Sequence, residues 1–254
     1  MTALISYPEY KETGIKWIPR IPAHWELKKI NELFVERSEK CSDVEYSPLS
    51  VTKFGIVPQL DTAAKSKDSE NRKKVLCGDF VINSRSDRRG SSGFSQYDGS
   101  VSLINIVLMP RKNTSLYFHY LLRSHTFIEE FYRNGRGIVA DLWTTRYSEM
   151  RNIYVPVPPI AEQEQILNYL RWKTSSINAL IPEKAITKGN VIASSHSLLS
   201  RYMMLIDEYR TSLISSVVTG QIDVRSICIP EYEFIEESVE STSDEDDDIP
   251  VEEV

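Results

Sequence analysis

The chain has 254 residues, 41% hydrophobic and 26% charged; no apolar run approaches the ~18–20 residues of a membrane helix and no charged-then-apolar leader opens it, so one cytoplasmic domain with an extension is expected. Cys41, Cys77 and Cys228 are isolated, which excludes a disulfide framework or a cysteine metal pair. The formal charge of −6 is unevenly placed: residues 231–254 hold 12 of the 36 acids and no Lys or Arg, leaving a body with 24 acids against 30 bases that can face a polyanion.

Residues 1–25 form an aromatic arm punctuated by proline, with Tyr7, Tyr10, Trp17 and Trp25 around Pro19 and Pro22. Each proline disfavours helix in the residue before it. Glu26–Lys40 predicts a short helix with Leu27, Ile30, Leu33 and Phe34 on one face. Residues 44–110 predict strands at Leu49–Thr52, Phe80–Ile82 and Val101–Met109, bounded by turn signals at Cys77-Gly78-Asp79 and Tyr97-Asp98-Gly99. Leu116–Phe131 predicts a helix through Phe118, Leu121, Leu122 and Ile128, and Ile153–Pro159 an extended exit segment. Pro158-Pro159 then opens a helix whose first turn carries Glu162 and Glu164. Its seam is Ile166, Leu170, Ile177 and Leu180, with breaks at Pro182 and Gly189-Asn190. A second helix, Val191–Thr219, has Ile192, Ser195, Leu199, Tyr202, Ile206, Tyr209, Leu213 and Ser216 in alternating steps of three and four, a heptad seam that Gly220 ends. The acidic stretch after Arg225 is expected to be disordered. The layout is a mixed α/β domain to about Pro159, a helical pair to about Arg225, and a tail.

Signatures of catalysis are missing. There is no Gly-x-Gly-x-x-Gly and no phosphate loop, and His24, His119, His125 and His196 are scattered. Pro156-Val157-Pro158-Pro159 lacks the Asn and Tyr of an amino-methyltransferase loop. Asp79 near Lys73 and Lys74 lacks the second acid of a nuclease and reads as part of a turn.

Two segments suit DNA. The first, Asn83–Gly93, carries Arg85, Arg88, Arg89, Ser91 and Ser92 between two apolar strands. Arginine reaches phosphates or the O6/N7 edge of guanine, and serine and glycine permit close approach to a backbone. The second holds Arg133-Asn134-Gly135-Arg136-Gly137 and then Trp143-Thr144-Thr145-Arg146-Tyr147, where Arg136, Thr144, Thr145 and Arg146 are candidate phosphate clamps and Trp143 a core residue. Lys65, Lys67, Arg72, Lys73 and Lys74 read as a solvated basic face adding non-specific attraction.

Four ordered motifs resemble the DNA specificity (S) subunits of type I restriction-modification systems. They are Tyr10–Ile18 with Ile21–Glu26, Gly137–Tyr147, Pro156–Ile166 and Leu213–Arg225. The resemblance implies an α+β fold: a mixed-sheet target recognition domain (26–159) after an N-terminal arm (1–25), then a coiled-coil-type helical spacer pair (160–225) and an acidic tail (226–254). It implies a non-catalytic subunit without cofactor or metal. One half of a split double-stranded DNA site is read, and a methyltransferase that uses S-adenosylmethionine on adenine N6 is docked, with a translocating nuclease subunit as a further partner. Such subunits carry two recognition domains and two spacers; here there is one of each, so a natural half-subunit is expected that pairs with a second copy through its helices to read a palindromic split site. The spacer, about 40 Å at 1.5 Å per residue, would set two domains about one 34 Å DNA turn apart. Gln163, Ile166, Leu170, Leu199, Tyr202, Ile206, Tyr209 and Leu213 are the candidate partner-binding residues. The competing reading is a non-catalytic adaptor or inhibitor that docks the methyltransferase and uses its tail as a DNA mimic.

Overall fold

A computed structural model describes residues 5–59, 70–112, 114–137, 143–180 and 196–232, without the side chains of 196–200. Lys65, Lys67, residues 138–142, Pro182, Gly189, Ile192, Ser195, the side chain of Leu199 and the tail beyond Tyr232 lie outside the described residues.

In chain order the first elements are β1 (Tyr10–Glu12), β2 (Arg20–Pro22), β3 (Glu26–Lys29), α1 (Ile30–Leu33), β4 (Phe34–Glu36) and β5 (Lys40–Cys41). The hairpin of β6 (Leu49–Thr52) and β7 (Gly55–Pro58) follows, then β8 (Arg72–Val75), β9 (Phe80–Asn83), β10 (Ser92–Phe94), β11 (Gly99–Val101) and β12 (Asn105–Pro110). The helical part comprises α2 (Tyr117–Arg123), α3 (His125–Arg133), α4 (Tyr147–Met150), α5 (Ile160–Asn178) and α6 (His196–Val218), with β13 (Tyr154–Val157) before α5.

A four-stranded antiparallel sheet, ordered β10-β9-β12-β4, is central. Successive strand side chains point to opposite faces, and both faces are used. Phe80, Ile82, Ile106 and Leu108 join the helical core, while Val81 and Val107 join a smaller core with Leu49, Ile56, Val75 and Val101. The predicted strands at 49–52 and 80–82 are present, and the run 101–109 divides into the end of β11 and most of β12 around a turn.

Three expectations change. Glu26–Lys40 is not a helix: only Ile30–Leu33 makes a helical turn, because β3 pairs with β13 (Glu26↔Val157, Lys29↔Tyr154) and β4 with β12. Apolar residues three and four apart fit a helix, but the tertiary ladder takes the segment. Leu116–Phe131 is two helices, divided at Ser124, whose extended backbone (ψ 144°) and side chain cap α3 by accepting from Phe127 N. The basic run on β8 is not a solvated face. Arg72 is buried and donates to Ser100 Oγ at 2.8 Å, and Lys73 donates to Asn105 O at 2.9 Å. Asp79, at the predicted turn, accepts Arg37 Nε at 2.7 Å in a buried pair, a structural use of its carboxylate.

The arm residues Tyr7, Ile21 and Trp25 share one core with Ile166 and Leu170 of α5 and Ile206, Leu213 and Val217 of α6. The buried Glu162 carboxylate joins them. It accepts from Tyr7 OH (2.6 Å), Trp25 Nε1 (3.0 Å) and His24 Nε2 (2.7 Å). Burial, then the Glu162 bond and charge, push the Tyr7 hydroxyl well above its ordinary pKa, so it stays a donor. Arg225 lies 4.9 Å over the Tyr7 ring and grips Asp223, whose backbone N–H donates to Ile5 O. Gly220, at φ +75°, lets the chain leave α6 against Pro22 and Trp25, where a Cβ would overlap Pro22. Three of the four motifs therefore meet at one place.

Glu162→Ala is expected to cost about 3 kcal/mol in urea unfolding, because buried donors lose their shared acceptor. Trp25→Phe, which removes one donor, should cost about 1 kcal/mol. A second expectation concerns pH. Burial, with Arg123 and Arg171 next, pulls the His119 pKa down to about 3, and its Nε2 accepts from Arg123 at 2.8 Å. In the unfolded chain that imidazole titrates near ~6.5 and binds the extra proton. Its contribution to stability is therefore complete above that pH and drains away as pH falls toward 3. His119→Gln should flatten the pH dependence of the unfolding free energy between pH 6.5 and 4, a change on the order of a few kcal/mol by urea titration.

Candidate nucleic-acid interface

The first arginine segment is the connection of the β9–β10 hairpin, so a buried sheet edge holds both of its ends. Within it, Ser86–Arg88 forms one 3-10 turn and Gly90 takes φ +82°, which returns the chain to β10. The loop is built from within: Arg85 N donates to Asn83 Oδ1 (3.0 Å) and Ser91 N to Arg88 O (3.1 Å). Tyr132 OH of α3 donates to Asn83 O (2.8 Å).

The second segment is joined to it. Arg136 and Thr144 exchange two backbone hydrogen bonds (3.1 and 3.0 Å), and Thr144 also bridges to Arg85. Ser86 N donates to Trp143 O (2.9 Å) and Thr145 N to Ser84 O (3.0 Å). Two segments about fifty positions apart in sequence thus form a short three-part ladder, Arg85–Thr144–Arg136.

The cations on this ladder are accessible. Arg136 is 84% exposed, with only a loose approach to Glu149 (3.7 Å). Arg146 is exposed, and Arg85 is half-buried and paired with Asp87 (2.9 Å). Arg89 is about half exposed; it pairs with Glu129 (2.7 Å) and lies 5.3 Å over the Tyr132 ring. Exposed pairs of this kind contribute little to stability and exchange readily. Arg88 is half-buried, and its carbonyl accepts from Ser91.

The hydroxyl candidates are corrected. Ser91, Ser92 and Thr145 are buried. Thr145 Oγ1 donates to Phe131 O (3.0 Å) and Ser92 Oγ reaches only Gly90 O (3.4 Å), so these side chains shape the loop and present nothing to a phosphate. Thr144 remains half-buried on the ladder. Trp143, expected in the core, is half-buried and lines a cleft beside Arg89.

The partner-binding candidates also divide. Gln163 is buried, with Nε2 donating to Pro158 O (2.8 Å) and Oε1 accepting from Ser115 (2.5 Å). Ile166, Leu170, Ile206 and Leu213 are buried in the chain's own core and offer no surface in this state. Tyr202 and Tyr209 are exposed, 41% and 55%, as are Met204 and Leu205 between them. Residue periodicity marked the seam but could not tell which alternate positions face α5. Glu162 lay inside a motif without a role; its signal was an acid set between Pro158-Pro159 and the apolar stripe.

No protein-family model and no curated protein sequence matches the chain. Among solved structures, it is similar to a chain from an assembled type I R-M system, at 13% identity and TM-score 0.45 over 84% of this chain and 49% of that one. The HsdS subunit of Thermoanaerobacter tengcongensis gives 16% identity and TM-score 0.45 over 84% and 48%. The type I S subunit of M. genitalium gives 15% and 0.40 over 76% and 50%. The chain thus spans about half the length of the solved structures it matches, and these neighbours include S subunits of type I systems, the group that its ordered motifs resemble.

Proposed function

We propose that this chain is the DNA-reading specificity subunit of a type I restriction-modification complex, without catalysis of its own. The observation that carries the reading is the ladder: it joins Arg85 and Arg136 through Thr144 across two segments distant in sequence, with Arg89 and Arg146 a few positions along the same segments. Arg85 and Arg89 pair with exposed acids and Arg136 only loosely with the half-buried Glu149, so these guanidinium groups can trade their acids for phosphates or guanine edges.

In this reading Arg85, Arg88 and Arg89 enter a groove, and Arg136, Thr144 and Arg146 hold the phosphate backbone. The helical pair docks an adenine-N6 methyltransferase that carries S-adenosylmethionine, and a restriction subunit can join. A second copy pairs through α6, so that a split palindrome is read with two-fold symmetry in the cytoplasm. Exposed Tyr202, Leu205 and Tyr209, which share one face of the helix, support pairing along α6. Its 23 residues span about 34 Å, close to one DNA turn. Among the described residues no helix is long and apolar enough to cross a membrane.

The test is to co-express the chain with its neighbouring methyltransferase and map N6-methyladenine. One split sequence motif should appear, and the triple variant Arg85→Ala, Arg88→Ala, Arg89→Ala should abolish it. Unchanged methylation in that variant removes the assignment. Docking of the methyltransferase without duplex binding favours an adaptor or inhibitor instead.

A second measurement separates contact from scaffold. Arg136→Ala should leave stability within about 0.5 kcal/mol. It should also lower the slope of log affinity against log salt by about one, alike for all sequences. Thr145→Val should instead lose about 1 kcal/mol of stability through its unmade bond to Phe131 O.

A further inference from the structure

Beside the arginine ladder lies a cleft of about 480 Å³. Its walls come from three parts of the chain: Trp17 of the N-terminal arm, His125, Glu129 and Tyr132 of α3, and Trp143 of the second segment, with Arg89 at the edge. Trp17 is fixed edge-on against Phe127 (centroids 6.0 Å apart, 74°), so its indole is held in place rather than loosely draped. Its Nε1–H is buried and donates to nothing among the described residues.

We propose that this cleft receives an unstacked nucleobase from the DNA strand held by the adjoining arginines. The proposal rests on the DNA-reading role above and adds a ligand class to it. Tyr132 is buried as the floor, which leaves the half-buried rings of Trp17 and Trp143 as the walls. A base inside a duplex offers only its edges, so two indoles beside the groove-reading loop add little to recognition of paired DNA. A base turned out of the stack offers its faces, and aromatic walls with a neighbouring guanidinium are what hold it. The charges of the cleft are balanced: Glu129 and Glu130 line it alongside Arg89 and Arg133, which pair with them, so it offers acceptors for the exocyclic amine of adenine or cytosine and no excess of cations for a phosphate.

The experiment uses the purified full chain and two fluorescent duplexes of one sequence, fully paired or bearing a single unpaired adenine. Wild type should bind the bulged duplex roughly tenfold more tightly, as expected for one stacked base. Trp143→Ala should bring the bulged duplex down to the affinity of the paired one and leave the latter unchanged. Trp17→Leu, which removes the ring and keeps apolar bulk against Phe127, should reduce the preference severalfold. Tryptophan emission of the unaltered protein should be quenched more by the bulged duplex, a readout independent of any variant's folding. Equal affinity and equal quenching for the two duplexes overturn the cleft assignment while leaving the arginine surface in place. A preference that survives in Trp143→Ala overturns it as well. Failure to bind either duplex overturns the DNA-reading role itself.

Discussion

The buried carboxylate of Glu162 is the constraint on which the rest of the chain depends. An ionised group removed from water is tolerated only when its lone pairs are met. Here two donors, Tyr7 and Trp25, come from buried side chains of the arm, and the third is His24. The acid sits in the first turn of α5, where the helix dipole also favours negative charge. Satisfying it obliges the arm from Tyr7 to Trp25 to lie against the start of α5. Trp25 then meets Gly220, and Tyr7 lies under Arg225, so the end of α6 is drawn to the same point. Tyr117 completes the closure by donating to Val218 O at 2.8 Å from its buried position on α2. The arm is therefore part of the core.

The arginine surface is built on the opposite principle. Its scaffold bonds are between backbone groups, and its side chains carry weak commitments. Ser84, Ser86, Thr144 and Thr145 fix where the ladder runs, while Arg85 and Arg89 keep exposed acid partners and the exposed Arg136 only approaches Glu149 at 3.7 Å. A guanidinium fully spent inside the protein, like that of Arg37 on Asp79, could not serve a ligand without unfolding its surroundings. The two classes of arginine differ in burial of the acid, 4% for the Asp79 side chain against 50% for that of Glu129. That difference divides architecture from contact more sharply than arginine density in the sequence does.

The same distinction explains what was readable in advance. The strands at 49–52 and 80–82, the start of α5 and the end of α6 follow from local signals: alternation, Pro158-Pro159 and Gly220. Glu26–Lys40 was misread because Leu27, Ile30, Leu33 and Phe34 satisfy a helical stripe as well as two short strands, and only the partners β12 and β13 decide between them. Both arginine segments were visible, but not that Thr144 would join Arg85 to Arg136, since a three-part ladder across some fifty positions leaves no periodic trace. Serine and threonine were assigned outward from their chemistry. In the fold a short hydroxyl beside a tight turn reaches its own backbone first, as Thr145 does to Phe131 O.

The seam of α6 shows how periodicity underdetermines partnership. Its residues alternate between two series with a spacing of seven. Ile206 and Leu213 point into the core beside α5, while Tyr202 and Tyr209 point outward. A two-stranded coiled coil needs both series at one interface, and here one is already occupied within the chain. On the outward side, Tyr202, Leu205 and Tyr209 share one strip, while Met204 lies about 160° around the helix from Tyr202. Aromatic side chains carry large areas with few polar demands, so this strip is more aromatic than a leucine seam. The pairing of α5 with α6 thus uses half of the heptad to close the domain and leaves the other half, turned by roughly a seventh of a revolution, exposed.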